Sequence, residues 1–308
     1  MQGWRCKVPD ECVDALGKQQ RTETMLALSD WAADSRRNII GVFTDIDDTL
    51  TTAGAITPDA LQALADLKSA GLHVIPITGR PAGWSQPFAR GDAALGIAPW
   101  PVDAIVAENG SVALLSDNIG IFLPWNMDNS LLKLYQQDAA TRAGNFARMQ
   151  QVAAQVLRDV PGAMLSQDSV GRETDIAFDH SEFRHLPFEK IRQIVRIMQA
   201  AGMNATVSSI HINGWFGAHN KWAGACWIVR ELFGRELGAE IDHWVYVGDS
   251  ANDQLMFEHF PHSVGVANIR RFEAELAHLP RYITRGERGA GFAEVANAIL
   301  AGRAWAAS

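Results

Sequence analysis

Cysteine is scarce in this sequence of 308 residues, which contains only Cys6, Cys12 and Cys226. The number is odd, and no two of them have the Cys-x-x-Cys spacing of zinc sites and redox motifs. Proteins that depend on disulfides for stability carry many more cysteines, in pairs. We therefore expect three reduced thiols and a cytoplasmic protein.

Long hydrophobic runs are also missing. Uninterrupted apolar stretches such as residues 39–43 have the length of a strand, whereas a membrane-spanning helix needs about 20 apolar residues. The first ten residues lack the apolar core of a signal peptide, and Pro9, Asp10 and Glu11 would interrupt one. We expect neither a membrane span nor secretion.

The sequence has no excess of basic residues. It contains 27 Lys and Arg against 35 Asp and Glu, a formal net charge of −8, so no overall positive field would attract a nucleic acid. A lysine and a metal ion inside a cleft would still suffice to bind a small anion. With 47% hydrophobic and 20% charged residues, the composition is that of a globular protein, and the length suggests about two domains.

Apolar strands and helices alternate along the chain, which is typical of parallel α/β domains. A strand over residues 38–44, a helix that begins after Thr57 and ends at Gly71, and a strand over residues 72–77 form a β-α-β unit. Its right-handed crossover places both strand ends at the same edge of one sheet. Further helices are predicted over residues 22–35, 128–159 (with a break at Gly144), 188–201, 221–233, 253–259 and 291–300, and further strands over residues 104–107, 172–178, 204–212, 243–247 and 263–266.

The middle of the chain has a different pattern of predicted elements, with a long polar helix and alternating rather than continuously apolar strands. This pattern indicates a second, smaller α/β domain inserted into the first. We therefore predict an α/β fold with a doubly wound, Rossmann-like parallel-sheet core. Residues 1–37 would form an N-terminal helical extension, residues 38–115 and 213–308 the two parts of the core, and residues 116–212 the inserted α/β cap.

Acidic residues follow two of the predicted core strands directly. Asp45, Asp47 and Asp48 follow one strand, and Asp249 and Asp253 follow another. Carboxylates this close repel one another unless a cation or solvent relieves them, and oxygen ligands suit Mg²⁺. Each segment alone could be a solvated turn or a helix cap, but one cation bound by both explains them together.

Two further segments have the chemistry to bind phosphate. Thr78 and Gly79 follow the second strand, where a hydroxyl and backbone N–H groups could hold phosphate oxygens. Lys221 opens a predicted helix. Each segment also has an ordinary alternative, a strand-to-loop turn for Thr78 and Gly79 and a solvated surface charge for Lys221.

Taken in order, these segments resemble the four motifs of the haloacid dehalogenase superfamily of aspartyl-nucleophile phosphatases. The matching residues are Asp45, Asp47 and Thr49 (DxDxT), Thr78, Lys221, and Gly248, Asp249 and Asp253 (GDxxxD). The long gap between the second and third motifs is similar to the subclass with a large α/β cap inserted there, which contains Cof-like and sucrose-phosphate phosphatases. The resemblance covers residues 38–300.

The resemblance implies a mechanism and a set of site residues. Asp45 would be the nucleophile that forms a covalent aspartyl-phosphate, and Asp47 would give a proton to the leaving alcohol. The implied metal site for Mg²⁺ consists of Asp45, Asp47 (through its carbonyl), Asp249 and Asp253, and the implied substrate-binding residues are Thr78, Gly79 and Lys221.

The leading hypothesis is therefore a Mg²⁺-dependent phosphatase for a small phosphorylated metabolite, with a sugar phosphate favoured. A phosphomutase of the same superfamily and a non-catalytic binding or regulatory module stay open as alternatives. We expect substrate choice to lie in the cap, with residues 172–175 and 208–215 as candidate contacts; an exposed strand face and hinge packing are their alternatives. Sugar stacking on Trp215, Trp222 or Trp227 competes with core packing, and the oligomeric state is open.

Overall fold

The computed structural model describes residues 24–116 and 133–304. The strands are β1 (Leu26–Ala27), β2 (Gly41–Thr44), β3 (Thr51–Thr52), β4 (Ala55–Ile56), β5 (His73–Pro76), β6 (Ala104–Ala107), β7 (Val112–Leu115), β8 (Lys133–Tyr135), β9 (Ile176–Asp179), β10 (Asn204–Val207), β11 (His211–Trp215), β12 (Trp244–Gly248), β13 (His262–Gly265) and β14 (Tyr282–Ile283). The helices are α1 (Ala33–Arg37), α2 (Pro58–Ser69), α3 (Ala82–Arg90), α4 (Ala139–Asp159), α5 (Phe188–Ala200), α6 (Lys221–Phe233), α7 (Gln254–His259) and α8 (Arg288–Ala304).

Six parallel strands form the central sheet, in the order β1-β14-β13-β12-β2-β5. Every residue of β2 is buried, which explains its continuous apolar sequence. Separate apolar clusters cover the two faces, one with residues of α2 and α8 and the other with residues of α6 and α7. The predicted doubly wound α/β core is confirmed.

A small antiparallel sheet, in the order β6-β7-β8, continues the core beside β5. A parallel bridge between Ile77 and Val106 joins it to the chain just after β5. Helix α3, which the sequence did not predict, packs against β6 and β7. This sheet places the turn after β6 next to the end of β5.

A second layer, which we call the cap, consists of β9, β10 and β11 with α4 and α5. Its three strands are antiparallel, in the order β10-β11-β9, and it has a hydrophobic cluster of its own. The predicted cap limits stay predictions: β8 pairs with β7 beside the core, and β11 runs across residue 212.

The helix predicted over residues 22–35 is wrong within the described chain. Leu26–Ala27 instead pairs with Tyr282–Ile283 at the edge of the core sheet, and α1 begins only at Ala33. The Trp31 ring is buried, with its centroid 5.6 Å from that of Tyr282. The apolar residues of this segment therefore cover the end of the sheet rather than one face of a helix.

The long helix predicted over residues 128–159 also differs from the structure. Helix α4 begins at Ala139, where the Asp138 side chain accepts a hydrogen bond from the N–H of Thr141. It then continues through Gly144 without a break. Gly144 is exposed, with open space where a Cβ atom would lie, so it is an ordinary helical position. Strand β8 precedes it, and residues 128–132 of the prediction lie outside the described residues.

Two predicted cap strands are shorter or divided. The strand predicted over residues 172–178 is confined to Ile176–Asp179, because the preceding side chains bind the core. The strand predicted over residues 204–212 is a hairpin of β10 and β11. At its turn, the Ser208 hydroxyl accepts a hydrogen bond from the N–H of His211 at 3.0 Å, which reverses the chain.

Cys226 is a free, half-buried thiol, and Cys6 and Cys12 lie outside the described residues. Of the helices that the structure describes, none has the length and apolar character needed to cross a bilayer.

Candidate active site

The four motif segments meet at the carboxyl edge of the core sheet. Asp45 directly follows β2, Thr78 lies just beyond β5, and Asp249 directly follows β12. Lys221 is the first residue of α6. Because the carboxyl ends of parallel strands share one edge, residues that are far apart in sequence come together here.

Three carboxylates and one ammonium group form a buried cluster at this edge. Lys221 Nζ donates to Asp45 Oδ1 at 2.6 Å and to Asp253 Oδ1 at 2.7 Å. One oxygen each of Asp45, Asp249 and Asp253 lies within 4.8 Å of the others, and none of the four residues is more than 4% exposed. When ionised, the three buried carboxylates carry more negative charge than the single ammonium group of Lys221 can balance.

Asp253 and Asp249 differ in how their oxygens are used. Asp253 accepts hydrogen bonds from the Tyr246 hydroxyl, from Lys221 and from the N–H groups of Asp249 and Ser250. Asp249 Oδ2 accepts from the Asn268 amide at 3.1 Å, but its buried Oδ1 has no hydrogen-bond partner among the described residues. Asp249 therefore has a free oxygen, whereas Asp253 is fully engaged.

This cluster fits a divalent cation with oxygen ligands. Burial, together with Asp45 and Asp253, raises the pKa of Asp249 well above its ordinary value. Burial also raises the pKa of Asp45 to about 7, although Lys221 opposes the shift. A hard cation would stabilise both ionised carboxylates and satisfy the unpaired oxygen of Asp249.

The Asp47 side chain lies outside this cluster and binds Arg80. Arg80 donates to Asp47 through Nε and Nη2 at 2.9–3.1 Å. The same guanidinium also bonds to two cap carboxylates, Asp168 at 3.2 Å and Glu182 at 2.7 Å, and Glu182 in turn lies 2.8 Å from His211 Nε2. Sequence reasoning assigned Arg80 no role, although it directly follows Thr78 and Gly79, and no sequence signal pointed to Glu182.

Thr78 is buried and its hydroxyl has a defined orientation. Thr78 Oγ1 accepts a hydrogen bond from the N–H of Arg80 at 3.0 Å, so its own proton is available to another acceptor. The N–H of Thr78 donates to Val106 O, and its carbonyl accepts from the N–H of Asn109. The turn after β5 is thus held by the neighbouring β6 segment.

The cap closes over these residues in the described structure. The space between Asp45, Asp47 and Thr78 of the core and the turn from Ser208 to His211 of the cap has a volume of about 10 Å³. This is room for about one water molecule. A phosphoryl group can reach Asp45 only when the turn from Ser208 to His211 moves away.

A larger cavity, of about 580 Å³, lies beside the cluster between the cap and the core. Its lining includes Lys221, Asn109 and Asn252 near the cluster and Trp215 and Thr206 from the cap. Its lining also includes Glu258, His278 and the apolar side chains of Met203 and Leu255. The cavity reaches Asp45 through Lys221 and is large enough for a small metabolite.

Two groups of candidate contacts do not face this cavity. The side chains of Arg172 and Asp175 are buried against the core, as described below. Trp222 stacks on His259 with ring centroids 4.3 Å apart, and Trp227 packs against the core cluster around α6. Trp215 borders the cavity, but it is 3% exposed, it belongs to the hydrophobic cluster of the cap, and its ring stacks on His219.

Buried carboxyl groups lead to a prediction for the pH dependence of stability. Burial raises the pKa of Asp45 from 3.8 and that of Glu108 from 4.5, each to about 7. Between these values the folded protein keeps protons that the unfolded chain has released, so stability falls as pH rises. We expect each of these two groups to lower the free energy of unfolding of the metal-free protein between about pH 4.5 and 7, by up to about 1.4 kcal/mol per pH unit. Four histidines act in the opposite direction, because burial lowers their pKa: His73, His180, His219 and His262.

Urea titrations across this range measure the slope. Glu108→Gln removes one falling contribution, so its stability should gain relative to the wild type as pH rises from 4.5 to 7. The same change at the exposed Glu236 should leave the wild-type slope unaltered. Equal slopes in Glu108→Gln and the wild type would contradict the prediction.

Comparison with known protein sequences gives a match to one family over part of the chain. No curated protein sequence matches the chain significantly. Residues 42–133 match the model of the haloacid dehalogenase-like hydrolase family.

Solved structures with the same fold cover most of the chain. A putative HAD/COF-like hydrolase from Plasmodium vivax has a TM-score of 0.60 at 14% identity, over 88% of this chain and 99% of its own. A protein from Thermoplasma acidophilum has a TM-score of 0.59 at 16% identity, over 85% and 98%. The sucrose-phosphatase of Synechocystis, solved with sucrose and phosphate, has a TM-score of 0.58 at 15% identity, over 85% and 98%.

The matched family model covers the segment with Asp45 and Thr78, and the fold adds the parallel core and the cap between the second and third motifs. Residues 42–133 therefore match the haloacid dehalogenase-like hydrolase family, and the described chain has the fold of these solved structures, a parallel core with an inserted α/β cap.

Proposed function

We propose that the protein is a Mg²⁺-dependent phosphatase that hydrolyses a small phosphorylated metabolite through a covalent aspartyl-phosphate on Asp45. The observation that carries the proposal is the position of the Asp45 carboxylate. It is buried, it accepts a hydrogen bond from Lys221 Nζ at 2.6 Å, and it lies beside the unpaired oxygen of Asp249. A nucleophile, a phosphate-binding cation and a metal ligand are thus adjacent.

The residues of the site account for both halves of the reaction. In the first, a carboxylate oxygen of Asp45 forms a bond to phosphorus while the bond to the leaving oxygen breaks, and Asp47 gives that oxygen a proton. In the second, water attacks the same phosphorus, Asp47 takes up its proton, and Asp45 is released with inorganic phosphate. Thr78, Gly79 and Lys221 hold the phosphoryl oxygens throughout.

Asp45, Asp249 and the main-chain carbonyl of Asp47 would hold Mg²⁺, and Asp253 would orient Lys221 and the loop at residues 249–250 around it. When bound, the ion supplies positive charge that offsets repulsion between carboxylate and phosphate. Lys221 contributes in the same sense through its hydrogen bond to Asp45. Without such charge, the raised pKa of Asp45 would leave part of the nucleophile protonated at neutral pH.

The cavity beside the cluster supports a sugar phosphate as the substrate class. Neutral amide side chains such as Asn109 and Asn252 line it, and such groups suit the hydroxyls of a sugar. The structurally similar sucrose-phosphatase was solved with sucrose and phosphate, which agrees with this choice. The sparse cysteines and the free thiol of Cys226 support a cytoplasmic location.

A screen of phosphorylated metabolites for phosphate release tests the proposal. We expect turnover of one or more sugar monophosphates with Mg²⁺, and loss of turnover with EDTA. Release of phosphate to water without a bisphosphate activator would argue against a phosphomutase. Absence of metal-dependent turnover on any phosphoester would contradict the proposal and favour a binding module.

The metal site can also be tested without turnover. Mg²⁺ should raise the thermal unfolding midpoint, because it binds the folded cluster; at 100 times its Kd the gain is about 2.7 kcal/mol. Asp249→Asn should raise the midpoint of the metal-free protein, because it removes a buried charge next to Asp45 and Asp253, and should abolish the shift with Mg²⁺. Asp34→Asn, at an exposed carboxylate, should change neither. An unaltered Mg²⁺ shift in Asp249→Asn would show that the ion binds elsewhere.

A further inference from the structure

The carbonyl of Gly79, in the turn after β5, is held by two residues from the cap side of the molecule. Arg172 Nη1 donates to Gly79 O at 3.0 Å, and Asn213 Nδ2 donates to the same oxygen at 3.2 Å. Arg172 precedes β9, and Asn213 lies in β11. A core turn with a predicted role in phosphate binding is therefore fixed by the inserted segment.

Asp175 organises these two donors. It accepts hydrogen bonds from Arg172 at 2.8 and 2.9 Å, from Asn213 at 3.0 Å and from the core residue Asn109 at 3.3 Å. All four residues are at most 4% exposed. Water therefore does not compete for these bonds, and the low local dielectric strengthens them.

The segment of residues 168–175 is anchored to the core at further points. Gly171 packs so closely on Gly83 of α3 that a Cβ atom on Gly83 would lie 2.7 Å from its Cα. The buried carboxylate of Glu108 accepts hydrogen bonds from the N–H groups of Glu173 and Thr174. These contacts tie the segment to the core, whereas the turn from Ser208 to His211 is the part that covers Asp45.

The peptide group between Gly79 and Arg80 is consequently fixed at both ends. Its carbonyl is held by Arg172 and Asn213, and its N–H donates to Thr78 Oγ1. A rotation of this peptide would release the Thr78 hydroxyl from its present orientation. The geometry of the phosphate-binding turn thus depends on the two donors outside it.

We propose that Arg172 and Asn213 are positioning residues, which orient the Thr78 hydroxyl and the Gly79 N–H toward the phosphoryl group of the substrate. The inserted segment then completes the phosphate site of the core, in addition to covering it. The inference rests on the proposed function in one respect, that a phosphoryl group is the ligand of this turn.

The guanidinium group is required at residue 172. Arg172 bonds at once to Gly79 O, to Asp175 and, through Nη2, to Asp168 at 3.1 Å. A lysine ammonium at the same position carries the charge but lacks the planar fork that serves these acceptors together. Arg172→Lys should therefore retain the fold better than removal of the charge, and yet lose the hold on Gly79.

Two variants and one control test the proposal. In Arg172→Lys and in Asn213→Leu, we expect kcat to fall by about 10- to 100-fold, as displaced binding groups commonly cause. The Kd of inorganic phosphate, measured by ³¹P NMR or calorimetry with Mg²⁺ present, should rise by a similar factor. Arg158→Gln, at an exposed ion pair on the same cap, should leave kcat, phosphate binding and the thermal midpoint unaltered.

The outcomes separate positioning from mere support of the fold. Unchanged phosphate binding in folded Arg172→Lys and Asn213→Leu would overturn the proposal, whatever happens to kcat. If Arg172→Lys fails to fold, Asn213→Leu decides by the same measurement. If the wild-type protein hydrolyses no phosphoester, the proposed function fails, but weaker phosphate binding in the variants would still support the positioning role. A wild-type protein that binds no phosphate would overturn it.

Discussion

Replacing Asp45 by Asn should lower kcat by about 10⁴-fold or more, as loss of a nucleophile does in enzymes with covalent intermediates. The amide keeps the shape of the side chain and an oxygen that can accept from Lys221. It carries no charge, however, and cannot form the acyl phosphate. Asp45→Ala, which has neither carboxylate nor amide, should lower kcat by the same factor.

Phosphate release under saturating substrate measures the effect, and acid quenching should trap phosphate on the wild-type chain but not on Asp45→Asn. Asp48→Asn is a matched control three positions along the chain. Its side chain bonds to Arg288 at 2.8 Å rather than to Lys221, Asp249 or Asp253, so most of the activity should be retained. A fully active Asp45→Asn would remove the basis of the proposed function.

Replacing Lys221 by Met should destabilise the metal-free protein by about 3–5 kcal/mol near neutral pH, because it leaves buried carboxylates without their cationic partner. Lys221 bonds to both Asp45 and Asp253. Burial alone would lower the pKa of Lys221, but these two carboxylates outweigh burial and raise it above its ordinary value. The ammonium group is thus part of the fold as well as of the site.

Urea unfolding measures this loss. It should be smaller at pH 5, where the raised pKa of Asp45 and Asp249 lets them take up protons, and smaller again when Asp253→Asn is combined with Lys221→Met. Lys133→Met is the control, because its ion pair with Glu173 is a quarter to a third exposed and should be worth about 1 kcal/mol or less. If Lys221→Met and Lys133→Met lost the same free energy of unfolding, Lys221 would contribute no more to stability than an exposed ion pair does, which would contradict the prediction.

The core and its cluster could be predicted because their signals are local. A buried parallel strand has a continuous apolar sequence, and Asp45 and Asp249 stand directly after such strands. The edge on which they meet then follows from the handedness of the crossover. The segment around Trp31 could not be predicted in this way, since its short strand depends on a partner near the other end of the chain.

The contacts of the inserted segment lay beyond sequence reasoning for a related reason. A charged run such as residues 172–175 indicates a solvated or substrate-facing strand, because burial of an arginine and an aspartate is costly unless they pair. Here Arg172 and Asp175 do pair, and the core carbonyl of Gly79 completes the set. Whether such a set forms depends on the packing of two layers, which no local pattern encodes. The same holds for Arg80 and Glu182.

The closed arrangement over Asp45 has a consequence for measured affinities. Since the space there holds about one water molecule, only molecules in which the turn from Ser208 to His211 has moved away can take up a phosphoester. Apparent affinity is then the intrinsic affinity multiplied by the fraction of such molecules. In the closed arrangement, Glu182 bonds to both Arg80 and His211 of this turn. A substitution of Glu182, a residue with no role in the chemical steps, would change the fraction of open molecules. It would therefore shift KM without altering any contact that the bound substrate makes with the core.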